Sequence, residues 1–154
     1  MIPAEFEYYR PTEMSGVLSL LNKHGDEARV IAGGHSLIPL MKVRMADVHH
    51  LIDLQGLDGL DKIEIDADGI RIGAMVTQHE IINHDELFQL APILREAALQ
   101  ISDPQVRYMG TVGGNVANGD PANDMPGLMQ CLDATFTVVG SDGERDISAR
   151  GFYE

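Results

Sequence analysis

The apolar positions of this chain change their rhythm near Gly56. Before it, Phe6 to Tyr9 is a short β-prone run stopped by Pro11. Met14, Val17, Leu18 and Leu21 then recur at helical spacing. Thr12 stands as a candidate N-cap, and Gly25 sits where a left-handed C-terminal residue is wanted. Arg29 to Ala32 predicts a second strand and Val48 to Leu54 a third. Between them, Leu37 to Val43 predicts a short helix capped by Ser36 and kept brief by Pro39. The order strand, helix, strand, loop, helix, strand is that of a small α/β unit.

After Gly56 the pattern alternates. Ile63 and Ile65, a turn at Asp66-Ala67-Asp68-Gly69, then Ile70 and Ile72 predict a hairpin. Thr77-Gln78-His79-Glu80 matches a capping box and predicts a helix start. A further helix is expected from about Ala91 to Ile101, with Pro92 in its first turn. Ser102 to Asn118 lacks periodicity and predicts an irregular segment. Asp124 to Leu132 predicts a helix, and Ala134 to Val139 with Glu144 to Ile147 a second hairpin around Ser141-Asp142-Gly143. Two subdomains follow, residues 1–56 and 57–154, and Ala149 to Glu154 reads as the start of an element.

Two glycine pairs share a grammar. Ala32-Gly33-Gly34-His35-Ser36 and Thr111-Val112-Gly113-Gly114-Asn115 each end in a small polar residue. Without Cβ atoms the backbone turns sharply, and its N–H groups can converge on an anion. One such loop is an ordinary tight turn. Two of them, one in each subdomain, suggest one ligand with adjacent phosphates, held at the junction. Asp120 and Asp124 follow the second loop. They suit a helix cap or the hydroxyls of a ribose, as acidic residues do in other dinucleotide sites. His35 suits two roles, donation to a phosphate or stacking beside a ring on one hand and filling the turn on the other.

The composition narrows the classes. The 154 residues carry 44% apolar side chains and a formal net charge of -13. That charge opposes binding to nucleic acid or an anionic membrane, yet oriented amides can still offset a bound phosphate locally. The single cysteine, Cys131, precludes an intrachain disulfide and is expected to be a buried, inert thiol. No signal peptide or transmembrane run is visible, so a cytoplasmic protein is expected.

No metal site is expected. His79 and His84 are spaced i, i+5, off one helical face, and a solvated helix accounts for them. Glu64, Asp66 and Asp68 faintly resemble a calcium loop, but Met75 stands where the bidentate Glu belongs. No GxGxxG, phosphate-cradling GxxxxGK loop or nucleophile elbow occurs, which disfavours a Rossmann site.

The first loop, followed by Leu37-Ile38-Pro39-Leu40-Met41-Lys42, resembles the first flavin loop of the medium, FAD-binding subunit of molybdenum hydroxylases. This is the family of the carbon monoxide and xanthine dehydrogenases. The second loop, between Gln105-Val106-Arg107 and Asp120-Pro121, is similar to that family's second loop. The resemblance covers essentially the whole chain. It implies an α+β FAD domain of the vanillyl-alcohol-oxidase-like type, with a small α/β subdomain on a mixed, largely antiparallel one. Ala32, Gly33, Gly34, His35 and Ser36 would wrap the pyrophosphate together with Thr111, Gly113, Gly114 and Asn115. Asn118 and Asp124 would hold the ribityl or ribose-phosphate region, and Leu37 would lie near a non-covalent flavin. The implied partners are a molybdopterin-containing large subunit and a [2Fe–2S] small subunit, with electrons passing through FAD to an external acceptor. No residue here need be catalytic. Family medium subunits are longer, which implies that part of the second subdomain and a C-terminal domain lie outside this sequence and that FAD is held weakly without them. A non-catalytic assembly module is the alternative. A sugar-nucleotide reductase of the same superfamily is a third reading, opposed by Pro39-Leu40-Met41-Lys42.

Overall fold

The computed structural model describes residues 1–153. Its first part is a three-stranded parallel sheet of β1 (Glu7–Tyr9), β2 (Ala28–Ile31) and β3 (His50–Asp53), in the order β1-β3-β2. Parallel neighbours require crossovers. α1 (Met14–His24) connects β1 to β2, and α2 (Leu37–Lys42) connects β2 to β3.

Alternation along β3 divides the burial between two faces. Ile52 packs with Val17 and Ala28 under α1, and Leu51 packs with Ile31, Met41 and Val48 under α2. Ile52 is fully enclosed, and burying such a side chain contributes roughly 1.5–3 kcal/mol. Leu57 still belongs to the α1 side of this core. Glu13, not Thr12, stands at the N-cap of α1, and its side chain makes no capping bond; Gly25 does follow the helix, at φ 52°.

The remainder surrounds a second core. A hairpin of β4 (Ile63–Asp66) and β5 (Gly69–Ile72) is followed by α3 (Gln78–Asn83), α4 (Asp85–Leu90), α5 (Pro92–Gln100), α6 (Pro104–Met109), α7 (Val112–Asn118) and α8 (Asp124–Cys131). β6 (Thr135–Gly140) and β7 (Gly143–Ser148) close it as a second hairpin. Val76, Ile81, Leu87, Leu94, Ala98 and Met125 anchor this core. The expected capping box is formed: the Thr77 hydroxyl accepts from the Glu80 amide, and the Glu80 carboxylate accepts from the Thr77 amide.

Two helices occupy the segment expected to be irregular. α6 starts at Asp103, whose carboxylate accepts from Val106 N–H, with Pro104 in its first turn. α7 starts at Thr111 and contains the second glycine pair. α4 also went unforeseen. Its N-cap is His84, whose Nδ1 accepts from Leu87 N–H, an unusual capping residue that no Ser, Thr, Asp or Asn advertises.

Candidate functional site

The first glycine pair leaves β2 and turns into α2. Gly34 adopts φ 75° in a buried position, a conformation that favours glycine. Gly33 serves a different need. A Cβ there would overlap the Met109 carbonyl and lie 3.0 Å from Gly110 Cα, so the loop rests directly on the end of α6. The amides of Gly33, Gly34, His35 and Ser36 donate to no protein acceptor among the described residues. Ser36 occupies the N-cap position of α2 without a side-chain capping bond, contrary to expectation. His35 Nε2 lies 3.3 Å from the Gln105 carbonyl. A carbonyl oxygen only accepts, so Nε2 is the donor in this contact and ties the loop to α6.

The second glycine pair behaves differently. It is the first turn of a helix, and its amides are occupied. Val112 N–H donates to Val76 O, Gly113 N–H to Ala74 O, Gly114 N–H to Thr111 Oγ1 and Asn115 N–H to Thr111 O. A Cβ on Gly113 would fall 2.5 Å from Ala74 Cβ. This pair is therefore a close-packed wall, and the free backbone donors belong to the first loop alone.

Between the two loops lies a cavity of about 700 Å³. That volume falls within the range of about 300–1,000 Å³ usual for cofactor sites. Ala32, Gly33, Gly34, His35, Ser36 and Leu37 line it from one side. Thr111, Gly113, Gly114, Asn115, Asn118 and Asp124 line it from the other. Asp124 is the first residue of α8, the N-cap being Asn123, and its exposed carboxylate makes no hydrogen bond among the described residues. Asp120 closes a local turn by accepting from Ala122 N–H and caps no helix. Asn123 Nδ2 donates to Asn115 O and ties the start of α8 to the second loop.

Sequence reasoning missed part of the lining. Arg29, Ala74, Met75, Gln78 and Ser102 also face this space. Gln78 opens α3 as an ordinary polar position, and nothing in its neighbourhood in sequence marks it as buried. It is 1% exposed.

The other candidates resolve as structure. Cys131 is exposed, not buried: it is the last residue of α8, whose inner positions are taken by Met125, Leu128 and Met129. His79 stacks on Tyr108 with ring centres 3.9 Å apart, while His84 caps α4. Asp66 accepts from the amides of Asp68 and Gly69, closing the first hairpin. No group of His, Cys, Asp and Glu that could hold a metal ion occurs among the described residues. Nor is any helix there long and apolar enough to cross a membrane.

The donor set suits a phosphorylated, hydroxyl-bearing ligand. Free amides on one wall match phosphate oxygens. A free carboxylate at Asp124 matches hydroxyl donors. Asn115 Oδ1 is buried without a partner, which is costly unless a ligand or water satisfies it. FAD, with its pyrophosphate, ribityl chain and ribose, fits these groups.

Comparisons with known proteins agree with that chemistry. The family model described as the FAD binding domain in molybdopterin dehydrogenase matches residues 4–154. The carbon monoxide dehydrogenase medium chain of Afipia carboxidovorans is 51% identical over 154 residues, covering 100% of this chain and 54% of that protein. The glyceraldehyde dehydrogenase medium chain of Sulfolobus acidocaldarius is 36% identical, with 100% and 54% covered. The solved carbon monoxide dehydrogenase of Hydrogenophaga pseudoflava that lacks the Mo-pyranopterin moiety superimposes with a TM-score of 0.98 at 42% identity, covering 100% of this chain and 54% of that one. The chain thus spans about half the length of the curated relatives it matches. A match over nearly every residue, at this level of identity, with both glycine loops facing one cavity, means that the chain belongs to the family of FAD binding domains in molybdopterin dehydrogenases.

Proposed function

We propose that this chain holds FAD in the cavity between its two glycine loops and acts as the flavin module of a multi-subunit molybdenum hydroxylase. The observation that carries this is the meeting of Gly33–Ser36, with their free amides, and Thr111–Asn115 across one cavity. In such an assembly FAD supplies electron exchange between the [2Fe–2S] clusters of a small subunit and an external acceptor, while a molybdopterin-containing large subunit oxidises the substrate.

The chain's own residues bind and orient. The amides of Gly33, Gly34, His35 and Ser36 face the pyrophosphate and offset its charge. Asn115, Asn118 and Asp124 would take the hydroxyl-bearing linkers, and Leu37 would line the cavity toward the ring system. None of these residues transfers a proton to substrate. The division into subdomains 1–56 and 57–154 suits this role, because each core carries one wall of the cavity.

The second reading is an assembly module that keeps the fold and holds FAD weakly or not at all. The exposed apolar side chains of Leu90, Ile93, Leu99, Tyr108 and Met109 favour it, since they offer surface to another chain. Flavin absorbance after purification and reconstitution with FAD separates the two. The flavin module is expected to take up added FAD, if only weakly in this chain alone, and Gly114→Leu is expected to abolish that uptake while partner association persists. Wild-type protein that assembles with its partners but takes up no flavin would leave only the assembly role.

A further inference from the structure

Gln78 is the one polar side chain that is both fully enclosed and wholly unpartnered among the described residues. It is 1% exposed, and neither its Nε2 nor its Oε1 makes a hydrogen bond. Its backbone is fixed, because its N–H donates to the Gly110 carbonyl at 2.9 Å. Gly110 is also where the first loop rests through Gly33. Gln78 therefore stands at the seam of α3, the end of α6 and the first glycine loop, in the lining of the cavity. Burying an amide donor and acceptor without partners destabilises a protein, so this side chain carries a cost in the empty fold.

We propose that Gln78 is a ligand-binding residue whose carboxamide turns into the cavity when FAD binds, and that it engages a group able both to donate and to accept. This rests on the reading of the cavity as a flavin site. The two ends of a carboxamide are interchangeable in assignment, but here both are orphaned, so either orientation offers an NH2 donor end and an acceptor oxygen. A pyrophosphate presents acceptors only and would leave Oε1 unsatisfied. Ribityl or ribose hydroxyls donate as well as accept, so neighbouring hydroxyls can serve both ends. Gln78 thus marks the hydroxyl-bearing part of the ligand, beside the free amides that face its phosphates.

The test uses the natural protein, purified with the subunits that accompany it, stripped of flavin and titrated with FAD. Gln78→Met keeps the volume and removes both polar atoms. It is expected to raise the Tm of the flavin-free protein by about 2–4 °C and to weaken FAD affinity about tenfold. Gln78→Glu identifies the partner. A carboxylate facing hydroxyls is expected to bind FAD at least as well as Gln78→Met, whereas one facing phosphate binds far more weakly. Unchanged FAD affinity in Gln78→Met overturns the proposal and leaves the flavin site standing. A lower Tm in the flavin-free Met variant overturns it as well, since the orphaned amide then has a partner in the empty protein. Gln78→Glu binding far more weakly than Gln78→Met overturns the assignment to the hydroxyl region. Wild-type protein that takes up no FAD overturns the cavity reading, and this proposal with it.

Discussion

His24, at the end of α1, stacks on His50 of β3 with ring centres 3.6 Å apart, and Tyr9 packs against both. Its Nε2 is buried without a partner. Burial first, and then the neighbouring His50 and Lys23, holds the His24 pKa below its ordinary 6.5, against the opposing pull of Glu7 and Glu27. The unfolded chain therefore binds more protons than the fold below about pH 6.5. The contribution of His24 to stability is intact above that pH and is lost as pH falls through the folded value. His24→Phe keeps the stack and removes the proton site, so its Tm is expected to fall less between pH 7.5 and 5 than that of the wild type. An identical fall in both proteins would remove His24 from the account. The same contrast between neighbours separates the two glycine pairs. Gly33 and Gly113 look alike in sequence, yet each is required by a different wall, one by the Met109–Gly110 backbone and the other by Ala74.

At the scale of elements, the cavity depends on short helices that would not persist alone. α2, α3, α6 and α7 are each six or seven residues long, well below the length at which isolated helices are stable in water. Caps and tertiary contacts hold them. Thr111 does both, since it caps α7 through Gly114 N–H and forms a β-bridge with Thr77, the cap of α3. Thr111→Ala is expected to cost about 1 kcal/mol of stability and lower the Tm by a few degrees, with Thr111→Ser restoring most of it. Denaturant unfolding measures this directly. Full stability in the Ala variant would mean that the bridge and packing suffice without the cap.

Across the whole molecule, the cavity joins two cores that share few buried side chains. The sheet core runs from Phe6 to Leu57, and the helical core from Ile63 to Phe152. A ligand bound to walls from both stabilises the fold by about 2.7 kcal/mol at a hundredfold excess over its Kd. FAD is therefore expected to slow amide hydrogen exchange in β2, β3 and α2 and equally in α7 and α8. Protection confined to the sheet core would show that only the first loop holds the ligand. The net charge of -13 opposes an anionic ligand at this scale, and the free amides of the first loop are the groups that would offset a phosphate locally.

Local sequence sufficed for whatever depends on neighbours along the chain. The period of Met14, Val17 and Leu21, the Thr77–Glu80 box and the Asp66–Gly69 turn are near-neighbour physics, and the corresponding helices and hairpin are present. The glycine loops were visible as candidate ligand-facing residues because paired glycines let the backbone turn sharply, and Asp124 because it follows the second loop closely along the chain. Only the tertiary structure decided which loop keeps free donors. The amides of Val112 and Gly113 are occupied by Val76 and Ala74, partners far away in sequence. It also decided that Ser102 to Asn118 is helical, because α6 and α7 are held by Asp103, Thr111 and the wall they build against Gly33. Cys131 emerged exposed because the inner face of α8 was already filled. Gln78 emerged buried because Gly110 draws its backbone into the seam. Burial and hydrogen-bond satisfaction are sums over contacts distant in sequence, and no window along the chain contains them.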